Sequence, residues 1–278
     1  MFPYFDVLFE KLNQENSTAK EAFGEYVHWG YWNDPSVKTI SAKDFHNAAE
    51  LMTEKVVEKA NIKDGYRILD VGCGLGGTIK LLNEKNNNCE FVGVNIDPKQ
   101  IEVAKKEVTA KNSNKVEFIE GDACALPFLE QKFDVVLCVE SIFHFKDRRL
   151  FFKECQRALK PGGILVVSDF VPVGIFSSFM NFIEHTFHLV DKVYGTMRID
   201  ISVVKYKKIA KESSFNTESI KNITINTFPT YRFLKQNFSL YLSKEERSFR
   251  RATSMIEFVS RIGLLKYLIL SFKKNDNK

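Results

Sequence analysis

The sequence predicts an α/β fold built on a doubly wound sheet of seven strands. Short apolar runs alternate with longer helical patterns through the middle of the chain, and strands joined through helices pair in parallel by right-handed crossovers. A glycine-rich segment joins the first apolar run to the first helical pattern. The 278 residues suffice for one α/β domain with additional segments attached.

Five parallel strands are predicted in the first two thirds of the chain. Each run is short, rich in Val, Ile, Leu or Phe, and bounded by Gly, Asp or Asn, as buried strands are. These strands are Arg67–Val71, Glu90–Val94, Val116–Glu120, Phe133–Val139 and Ile164–Ser168. The helical segments between them are Thr78–Lys85, Pro98–Lys111, a short segment near Pro127, and Arg148–Leu159. In such a sheet the ligand lies at the carboxyl ends of the strands, so functional residues are expected just after each strand.

The pattern changes toward the C-terminus. Pro172–Ile201 is predicted as a Phe-rich helical insertion, and Val203–Ser213 as a helix. Ser219–Asn226 and Leu264–Ser271 are predicted as a hairpin, which makes the last strand antiparallel. The second of these segments is also compatible with an amphipathic terminal helix. Residues 227–261, between the two strands, are predicted to form another insertion.

The charge is unevenly distributed. The formal net charge is +5, but Lys and Arg exceed Asp and Glu by seven between Arg232 and Lys278. This bias is compatible with attraction to phosphates, anionic substrates or a membrane surface, and also with an ordinary solvated face. The N-terminus has acidic residues where a signal peptide has basic ones, and the most apolar stretch, Gly162–Ile183, contains Asp169. The sequence therefore predicts a soluble, cytoplasmic protein.

The cysteines predict neither a disulfide framework nor a zinc site. The five residues contain no C-x-x-C pair: Cys73, Cys89, Cys124, Cys138 and Cys155. A reducing compartment is therefore the default expectation. No carboxylate cluster has a spacing suited to magnesium, so no metal is expected.

The segment Asp70–Gly77, which reads DVGCGLGG, carries the strongest functional signal. Glycines in a strand-to-helix turn let the backbone approach a ligand closely, and the start of a helix offers N–H donors. Three of the glycines also match the dinucleotide pattern G-x-G-x-x-G, which leaves an NAD-dependent oxidoreductase open. That alternative is disfavoured because Asn95 stands where a dinucleotide site has an acidic residue. Asp70, in contrast, is placed to pair with the ammonium of a cofactor that carries an amino acid.

Together with Gly121-Asp122-Ala123 and Pro161-Gly162-Gly163, this segment resembles the class I S-adenosylmethionine-dependent methyltransferases, over about Ala49–Phe170. The resemblance implies a Rossmann-like fold, with S-adenosyl-L-methionine as cofactor and S-adenosyl-L-homocysteine as product. In that family the glycine turn holds the amino-acid portion of the cofactor, and the end of the second strand holds the ribose. The end of the third strand holds the adenine, and the end of the fourth strand faces the methyl group. The implied cofactor-binding residues are Asp70, Gly72, Cys73, Gly74, Asn95, Ile96, Gln100, Asp122, Ala123 and Glu140.

Asn95 departs from the acidic residue that is commoner at the ribose position. An amide can accept from one ribose hydroxyl and donate to another atom, so binding through Asn95 is compatible with the family pattern. Asp97 is an alternative ligand for the ribose. Both residues also suit a turn and a helix cap before Pro98, with no role toward a cofactor.

A more specific resemblance is carried by His28–Trp32, Val139–Phe145 and Val167–Phe170. These segments are similar to those of natural-product, sterol, tocopherol and cyclopropane-forming methyltransferases. The resemblance implies an N-terminal helical lid at residues 1–48 and a methyltransferase domain at residues 49–278, with cap insertions at about 171–201 and 227–261. It adds Tyr31 to the cofactor-binding residues. The implied substrate pocket comprises His28, Trp29, Phe143, Phe179 and His185. The aromatic residues among them are also compatible with simple packing.

His144 and Glu140 are the candidate catalytic residues. His144 follows the fourth strand, where an imidazole can accept a proton from a substrate hydroxyl, although a turn histidine bonded to backbone is the alternative. The Phe-rich insertions indicate a small, largely apolar acceptor, and O-methylation is favoured over C- or N-methylation. Such chemistry is typical of secondary or lipid-like metabolism.

Other functions stay open at this point. A methyltransferase-like cyclase would bind the cofactor without consuming it, and an NAD-dependent oxidoreductase is a further alternative. A nucleic-acid methyltransferase is disfavoured because no motif such as Asn-Pro-Pro-Tyr follows the fourth strand. The predicted partner is a small molecule, with no nucleic acid and no stable membrane insertion. Monomer and homodimer are both compatible with the sequence.

Overall fold

The computed structural model describes residues 17–174, 194–237 and 246–276, together with Phe9 and Leu12. Its described residues form a sheet of seven strands. They are β1 (Arg67–Val71), β2 (Glu90–Asn95), β3 (Lys115–Glu120), β4 (Phe133–Cys138), β5 (Leu159–Pro172), β6 (Phe215–Asn222) and β7 (Leu265–Lys274). The strand order is β3-β2-β1-β4-β5-β7-β6. The first five strands pair in parallel and the last strand is antiparallel, which confirms the predicted fold class.

Eight α-helices have both of their ends within the described residues. They are α1 (Thr18–Phe23), α2 (Ala42–Val57), α3 (Gly77–Lys85), α4 (Pro98–Glu107), α5 (Arg148–Ala158), α6 (Val203–Glu212), α7 (Phe228–Gln236) and α8 (Glu246–Arg261). Local sequence explains several of the starts. Asp97 caps α4 by accepting from the Lys99 N–H at 2.9 Å, and Pro98 occupies the first turn. Asp147 caps α5 through the N–H groups of Arg149 and Leu150.

Two predicted strands differ from the structure by four residues or more at an end, and the others except β1 differ by one to three. β5 begins at Leu159 rather than Ile164, because Leu159 pairs with Phe133 and the register then shifts before Val135. The Pro161-Gly162-Gly163 segment is therefore an irregularity within the strand, where Pro161 has no N–H to donate. β6 covers Phe215–Asn222 rather than Ser219–Asn226, since the Asn222 side chain accepts from the Thr224 N–H at 3.0 Å and turns the chain.

The helical predictions were less accurate in three places. No helix forms near Pro127, where Asp122 and Ala125 instead make an isolated bridge. α4 ends at Glu107 and not at Lys111, since Val108 already has an extended backbone. In the predicted Phe-rich insertion, Pro172 belongs to β5 and residues 195–202 are not helical, while residues 175–193 lie outside the described part of the chain.

The chain divides into two compact units. One unit comprises residues 53–169, 204–221 and 269–278, and it contains β1 to β4 with α3 to α5. Its core is built on nearly fully buried strands such as β1 and β4. Phe152 of α5 makes edge contacts with Phe215 and Phe272, at ring-centroid distances of 5.9 and 5.1 Å. The carboxyl ends of the parallel strands in this unit carry most of the predicted site residues.

The other unit comprises residues 1–52, 170–203 and 222–268. Its described core is aromatic: Trp29 contacts Tyr231 at 4.7 Å and Phe170 at 5.7 Å between ring centroids. Thr230 ties the segment after α1 to α7, because its hydroxyl accepts from the Trp32 indole N–H at 2.9 Å. Within the described residues, no helix is both long and apolar enough to cross a membrane.

Candidate cofactor and active site

Hydrogen bonds join the carboxyl ends of the five parallel strands into one edge. Gly72 N–H after β1 donates to the Val94 carbonyl of β2 at 2.7 Å, and Gly121 N–H after β3 donates to the Asn95 carbonyl at 2.9 Å. On the other side of β1, the Ser141 hydroxyl after β4 donates to the Val71 carbonyl at 2.9 Å. Glu140 N–H donates to the Ser168 hydroxyl of β5, also at 2.9 Å. The predicted residues that follow these strands are thus held along a single edge.

The turn between β1 and α3 has left-handed backbone at three glycines, Gly72, Gly74 and Gly76. A Cβ at Gly72 would lie 2.3 Å from the Ser141 hydroxyl oxygen, so packing alone excludes a side chain there. A Cβ at Gly74 would meet only the Gln100 Oε1 atom, at 3.8 Å. Gly74 therefore leaves open space in front of the turn, as a backbone that cradles a ligand requires.

Asp70 is a buried carboxylate at the end of β1. Neither of its carboxylate oxygens has a hydrogen-bond partner among the residues that the structure describes. Burial raises the pKa of Asp70 to about 7. The nearby Thr78 hydroxyl acts to lower this pKa, although it does not reach either carboxylate oxygen with the geometry of a hydrogen bond. A buried carboxylate that lacks a partner is stabilised by a cation, so the position suits an ammonium group.

Asn95 and Gln100 form a polar pair next to the glycine turn. Asn95 Nδ2 donates to Gln100 Oε1 at 3.1 Å, and Gln100 Nε2 donates to Asp97 Oδ2 at 3.3 Å. The Asn95 side-chain oxygen accepts from the Asp97 N–H, so these residues also shape the start of α4. Ile96, between them, is largely exposed. The cluster offers both donors and acceptors, which are the groups that bind a ribose diol.

Asp122 follows β3, and each of its two carboxylate oxygens has a polar partner. It accepts from the Cys124 N–H at 2.8 Å and pairs with the Lys146 ammonium. Burial acts to raise the pKa of Asp122, but Lys146 and the Cys124 N–H together lower it below the usual range. Asp122 is thus an ionised acceptor, and Ala123 beside it is buried.

The end of β4 has an unusual backbone at Glu140. Its φ is +50°, a left-handed conformation that a non-glycine residue adopts at a cost of about 1–2 kcal/mol. Ile142–His144 then form a short 3₁₀ turn, in which Phe143 is buried and His144 is half-buried. The rings of Phe143 and His144 meet edge to face at 4.5 Å. Strained backbone followed by an accessible imidazole is typical of a functional strand end.

Cys73 shapes the turn through its packing. Its thiol lies against Gly93 of β2, where an added Cβ would be 2.9 Å from the sulfur, and its N–H donates to the Val94 carbonyl at 3.1 Å. Burial, together with the charge of Asp70, raises the pKa of the Cys73 thiol well above its usual value. Cys73 thus supports the turn, and its predicted role in cofactor binding stays a prediction.

The residues of this edge fit the cofactor that the sequence resemblance implies. The unpartnered Asp70 suits the ammonium of S-adenosylmethionine, and the space at Gly74 leaves room for its amino-acid portion. The amides near Asn95 suit the ribose, and Asp122 suits the adenine end. No group of three or more potential metal ligands occurs within the described residues.

The predicted residues of the aromatic segment belong to the other compact unit. Trp29 is buried in the aromatic core of that unit, and Tyr31 N–H donates to the Ala48 carbonyl at 2.8 Å. The His28 Nδ1 atom lies 3.0 Å from the Trp29 carbonyl, and burial lowers the pKa of His28 to about 4 despite that bond. Their roles in a pocket or lid stay predictions. Phe179 and His185 lie outside the described residues.

Sequence reasoning missed Ser141 and Lys146. Ser141 stands in the segment after the fourth strand, but its bonds to the Val71 carbonyl and toward Cys138 depend on the adjacency of β1 and β4. Lys146 pairs with Asp122 across 24 positions of sequence. A doubly wound sheet is expected to place β1 beside β4, and this expectation could have predicted that Ser141 lies near the glycine turn.

Comparison with known proteins identifies relatives of the chain. A family model described as a methyltransferase domain matches residues 69–167. The methyltransferase GfsG of Streptomyces halstedii is 30% identical over 219 residues, which cover 78% of this chain and 76% of the relative. The erythromycin 3''-O-methyltransferase of Saccharopolyspora erythraea is 32% identical over 153 residues, which cover 55% of this chain and 48% of the relative.

Solved structures share the fold over almost the whole chain. The cyclase SpnF has a TM-score of 0.74 at 21% identity, covering 98% of this chain and 94% of SpnF. The geranyl diphosphate C-methyltransferase from Streptomyces coelicolor A3(2), in complex with S-adenosyl-L-homocysteine, has a TM-score of 0.70 at 17% identity, with 98% of both chains covered. At these identities the likeness concerns the fold.

Proposed function

The chain belongs to the S-adenosylmethionine-dependent methyltransferases, and we propose that it transfers the methyl group to a hydroxyl oxygen of a small, largely apolar acceptor. The nicotinamide alternative that the glycine pattern left open is set aside, because the relatives are methyltransferases. The methyltransferase resemblance predicted from the sequence is thereby confirmed, and the identity of the acceptor is part of the proposal.

We assign the binding of the cofactor to the edge formed by the strand ends. The Asp70 carboxylate holds the ammonium, the backbone around Gly74 faces the amino-acid portion, and Asn95 with Gln100 holds the ribose. Asp122 and Ala123 take the adenine end, while Glu140 lies toward the methyl group. S-adenosylmethionine supplies an electrophilic methyl group on a positively charged sulfur.

One observation carries the choice of a hydroxyl acceptor: a half-buried imidazole lies in the 3₁₀ turn six residues after the end of β4. His144 lies four residues after Glu140, in a turn whose first residue, Ser141, is bonded to β1 just before the glycine turn. An imidazole in that position can accept the proton that a hydroxyl group loses on methylation. Alignment of acceptor and donor supplies the rest of the catalysis.

The names of the relatives support an oxygen acceptor. One is an erythromycin 3''-O-methyltransferase, and another, from Pyrenophora dematioidea, is named simply an O-methyltransferase. The Phe-rich composition of the chain, with 25 phenylalanines, supports an apolar acceptor.

The proposal is tested with purified protein, S-adenosylmethionine and a panel of apolar acceptors that present hydroxyl, amine or carbon nucleophiles. We expect release of S-adenosylhomocysteine with hydroxylated acceptors, and a product that NMR identifies as a methyl ether. Methylation of carbon or nitrogen instead would contradict the choice of oxygen. Cofactor binding without any S-adenosylhomocysteine, combined with cyclisation of an unsaturated substrate, would favour the cyclase alternative.

The role of His144 is tested with the His144→Gln variant. If the imidazole accepts the proton, kcat falls by about 10²–10⁴-fold while the affinity for S-adenosylmethionine, measured by calorimetry, is unchanged. The matched control is His46→Gln, since His46 lies on α2 of the other unit and has no assigned role. Equal activity of the two variants would remove His144 from the mechanism.

A further inference from the structure

Helix α8 exposes two large apolar side chains on one face. Phe258 is 62% exposed and Ile262, in the turn that follows the helix, is 51% exposed. Four residues apart, they are neighbours on the helix surface. Elsewhere in the described residues, exposed large apolar side chains such as Leu129 and Val204 stand apart in sequence, as is normal for a protein surface.

The turn after α8 extends this apolar surface. Val173 N–H donates to the Leu264 carbonyl at 2.9 Å, so the end of β5 lies directly beside the turn. Val173 is 36% exposed and Leu264 is half-buried. We call Phe258, Ile262, Leu264 and Val173 the apolar tip; all four belong to the same compact unit.

Two arginines lie on the same face of α8, nearer the start of the helix than the apolar tip. Arg247 and Arg251 are exposed and precede Phe258 by eleven and seven residues, which places them on its face at 3.6 residues per turn. Neither makes an ion pair with another described residue. The acidic side chain at the flank, Glu257, is neutralised by ion pairs with Lys235 and with Arg261, the latter at 2.7 Å. The face is therefore basic at one end and apolar at the other.

We propose that this face of α8, with Arg247, Arg251, Phe258 and Ile262, docks on the surface of a bilayer that contains anionic phospholipids. The arginines match the headgroup phosphates in charge, and the apolar tip enters the boundary between headgroups and acyl chains. Helix α8 itself carries four arginines against two glutamates, which favours an anionic surface over a neutral one. The inference does not depend on the acceptor or on the site of methylation.

Vesicle flotation of the full chain tests the proposal. Wild-type protein is expected to float with vesicles of phosphatidylcholine and phosphatidylglycerol, to float weakly with phosphatidylcholine alone, and to lose binding as salt is raised from about 0.05 to 0.5 M. Equal binding to both vesicle types, or no binding at all, would overturn the proposal.

Two double variants separate the contributions of charge and apolar surface. Arg247→Gln with Arg251→Gln is expected to weaken binding to anionic vesicles by roughly 30-fold. Its control is Lys105→Gln with Lys106→Gln, which removes two exposed charges of α4. Phe258→Ser with Ile262→Ser is expected to release the protein, whereas Val204→Ser with Ile225→Ser, which truncates two residues that are 75% and 63% exposed, is not.

The same variants distinguish a bilayer from a second copy of the chain. If Phe258→Ser with Ile262→Ser converted a dimer to a monomer in size-exclusion chromatography while vesicle binding persisted, the face would be a subunit interface and the proposal would be wrong. Circular dichroism of each variant shows that lost binding does not reflect lost folding.

Discussion

The buried charge of Asp70 affects both the stability of the protein and the cofactor binding that we propose. Its carboxylate is buried at the end of β1 without a hydrogen-bond partner among the described residues, and burial raises its pKa from 3.8 to about 7. Because the native pKa lies above the unfolded value, the native state binds the proton more tightly. The carboxylate therefore makes folding less favourable as the pH rises from about 4 to about 7. Under the proposed assignment, we expect a cofactor ammonium to offset this penalty by pairing with the ionised form.

Asp70→Asn is expected to stabilise the free protein and to impair its binding of S-adenosylmethionine. The amide keeps no charge, so the free energy of unfolding of the variant should exceed that of the wild type by an amount that grows between pH 4 and pH 7. The gap approaches about 4 kcal/mol at most. Urea unfolding at several pH values measures the gap, and calorimetry measures the affinity.

The pH dependence of binding provides the check on this account. Affinity of the wild type for S-adenosylmethionine should fall by about tenfold or more between pH 7.5 and pH 5.5, because protonated Asp70 cannot pair with an ammonium. The Asn variant should bind weakly at both values. A wild-type affinity that does not change with pH would show that Asp70 is ionised throughout or makes no such contact.

At the same scale, the sequence predicts Asp70 and does not predict Ser141. Asp70 is found by its place two residues before a glycine turn, which is a local feature. Ser141 matters because its hydroxyl meets the Val71 carbonyl and fills the space beside Gly72, two contacts across about 70 residues. No pattern within a short window contains that information.

At the scale of elements, periodicity predicts which strands and helices exist, but long-range pairing sets their ends. β1 has the predicted bounds, since its apolar run is closed by Gly72. β5 starts five residues early because Leu159 finds Phe133 as a partner, and β6 ends early because Asn222 turns the chain. These outcomes depend on neighbouring strands and side-chain bonds that apolar runs do not reveal.

A buried polar network joins three elements of one unit. Arg148 of α5 donates to Asp169 of β5 and to the Tyr206 hydroxyl of α6, each at 3.0 Å, and Tyr206 also donates to Asp169. Burial, reinforced by the charge of Asp169, raises the pKa of Tyr206 well above its usual value, so the hydroxyl stays protonated. The network fixes how α5 and α6 meet the end of β5.

Asp169→Ala is expected to destabilise the protein by about 3–5 kcal/mol, because it leaves the buried Arg148 guanidinium without its carboxylate. Arg148→Met combined with Asp169→Leu should cost less than the single change, since neither charge remains. The matched control is Glu212→Gln, which removes the adjacent but exposed pair with Arg149 and should cost about 0–1 kcal/mol. Urea unfolding that gave Asp169→Ala and Glu212→Gln equal effects would contradict a stabilising role for the network.

At the scale of the whole molecule, a bound cofactor increases the free energy of unfolding. A ligand that binds only the native state adds about 2.7 kcal/mol at 100 times its Kd. Cofactor binding to the native state therefore raises the Tm of the protein. Backbone strain at a glycine position also lowers Tm, so the two effects must be separated by a pair of variants that share the strain and differ only in location.

Gly74 and Gly65 form such a pair. Both have left-handed backbone, with φ of +55° and +80°, and neither would bring a Cβ within 3.4 Å of another described atom. Replacement of either by Ala should cost about 1–2 kcal/mol of stability and lower the Tm of the free protein by a few degrees, similarly in both variants.

Saturating S-adenosylmethionine should raise the Tm of the wild type and of Gly65→Ala by several degrees. Gly74→Ala should show little rise, because the new methyl group occupies the space that faces the cofactor. An equal rise in both variants would mean that the cofactor does not approach the backbone at Gly74.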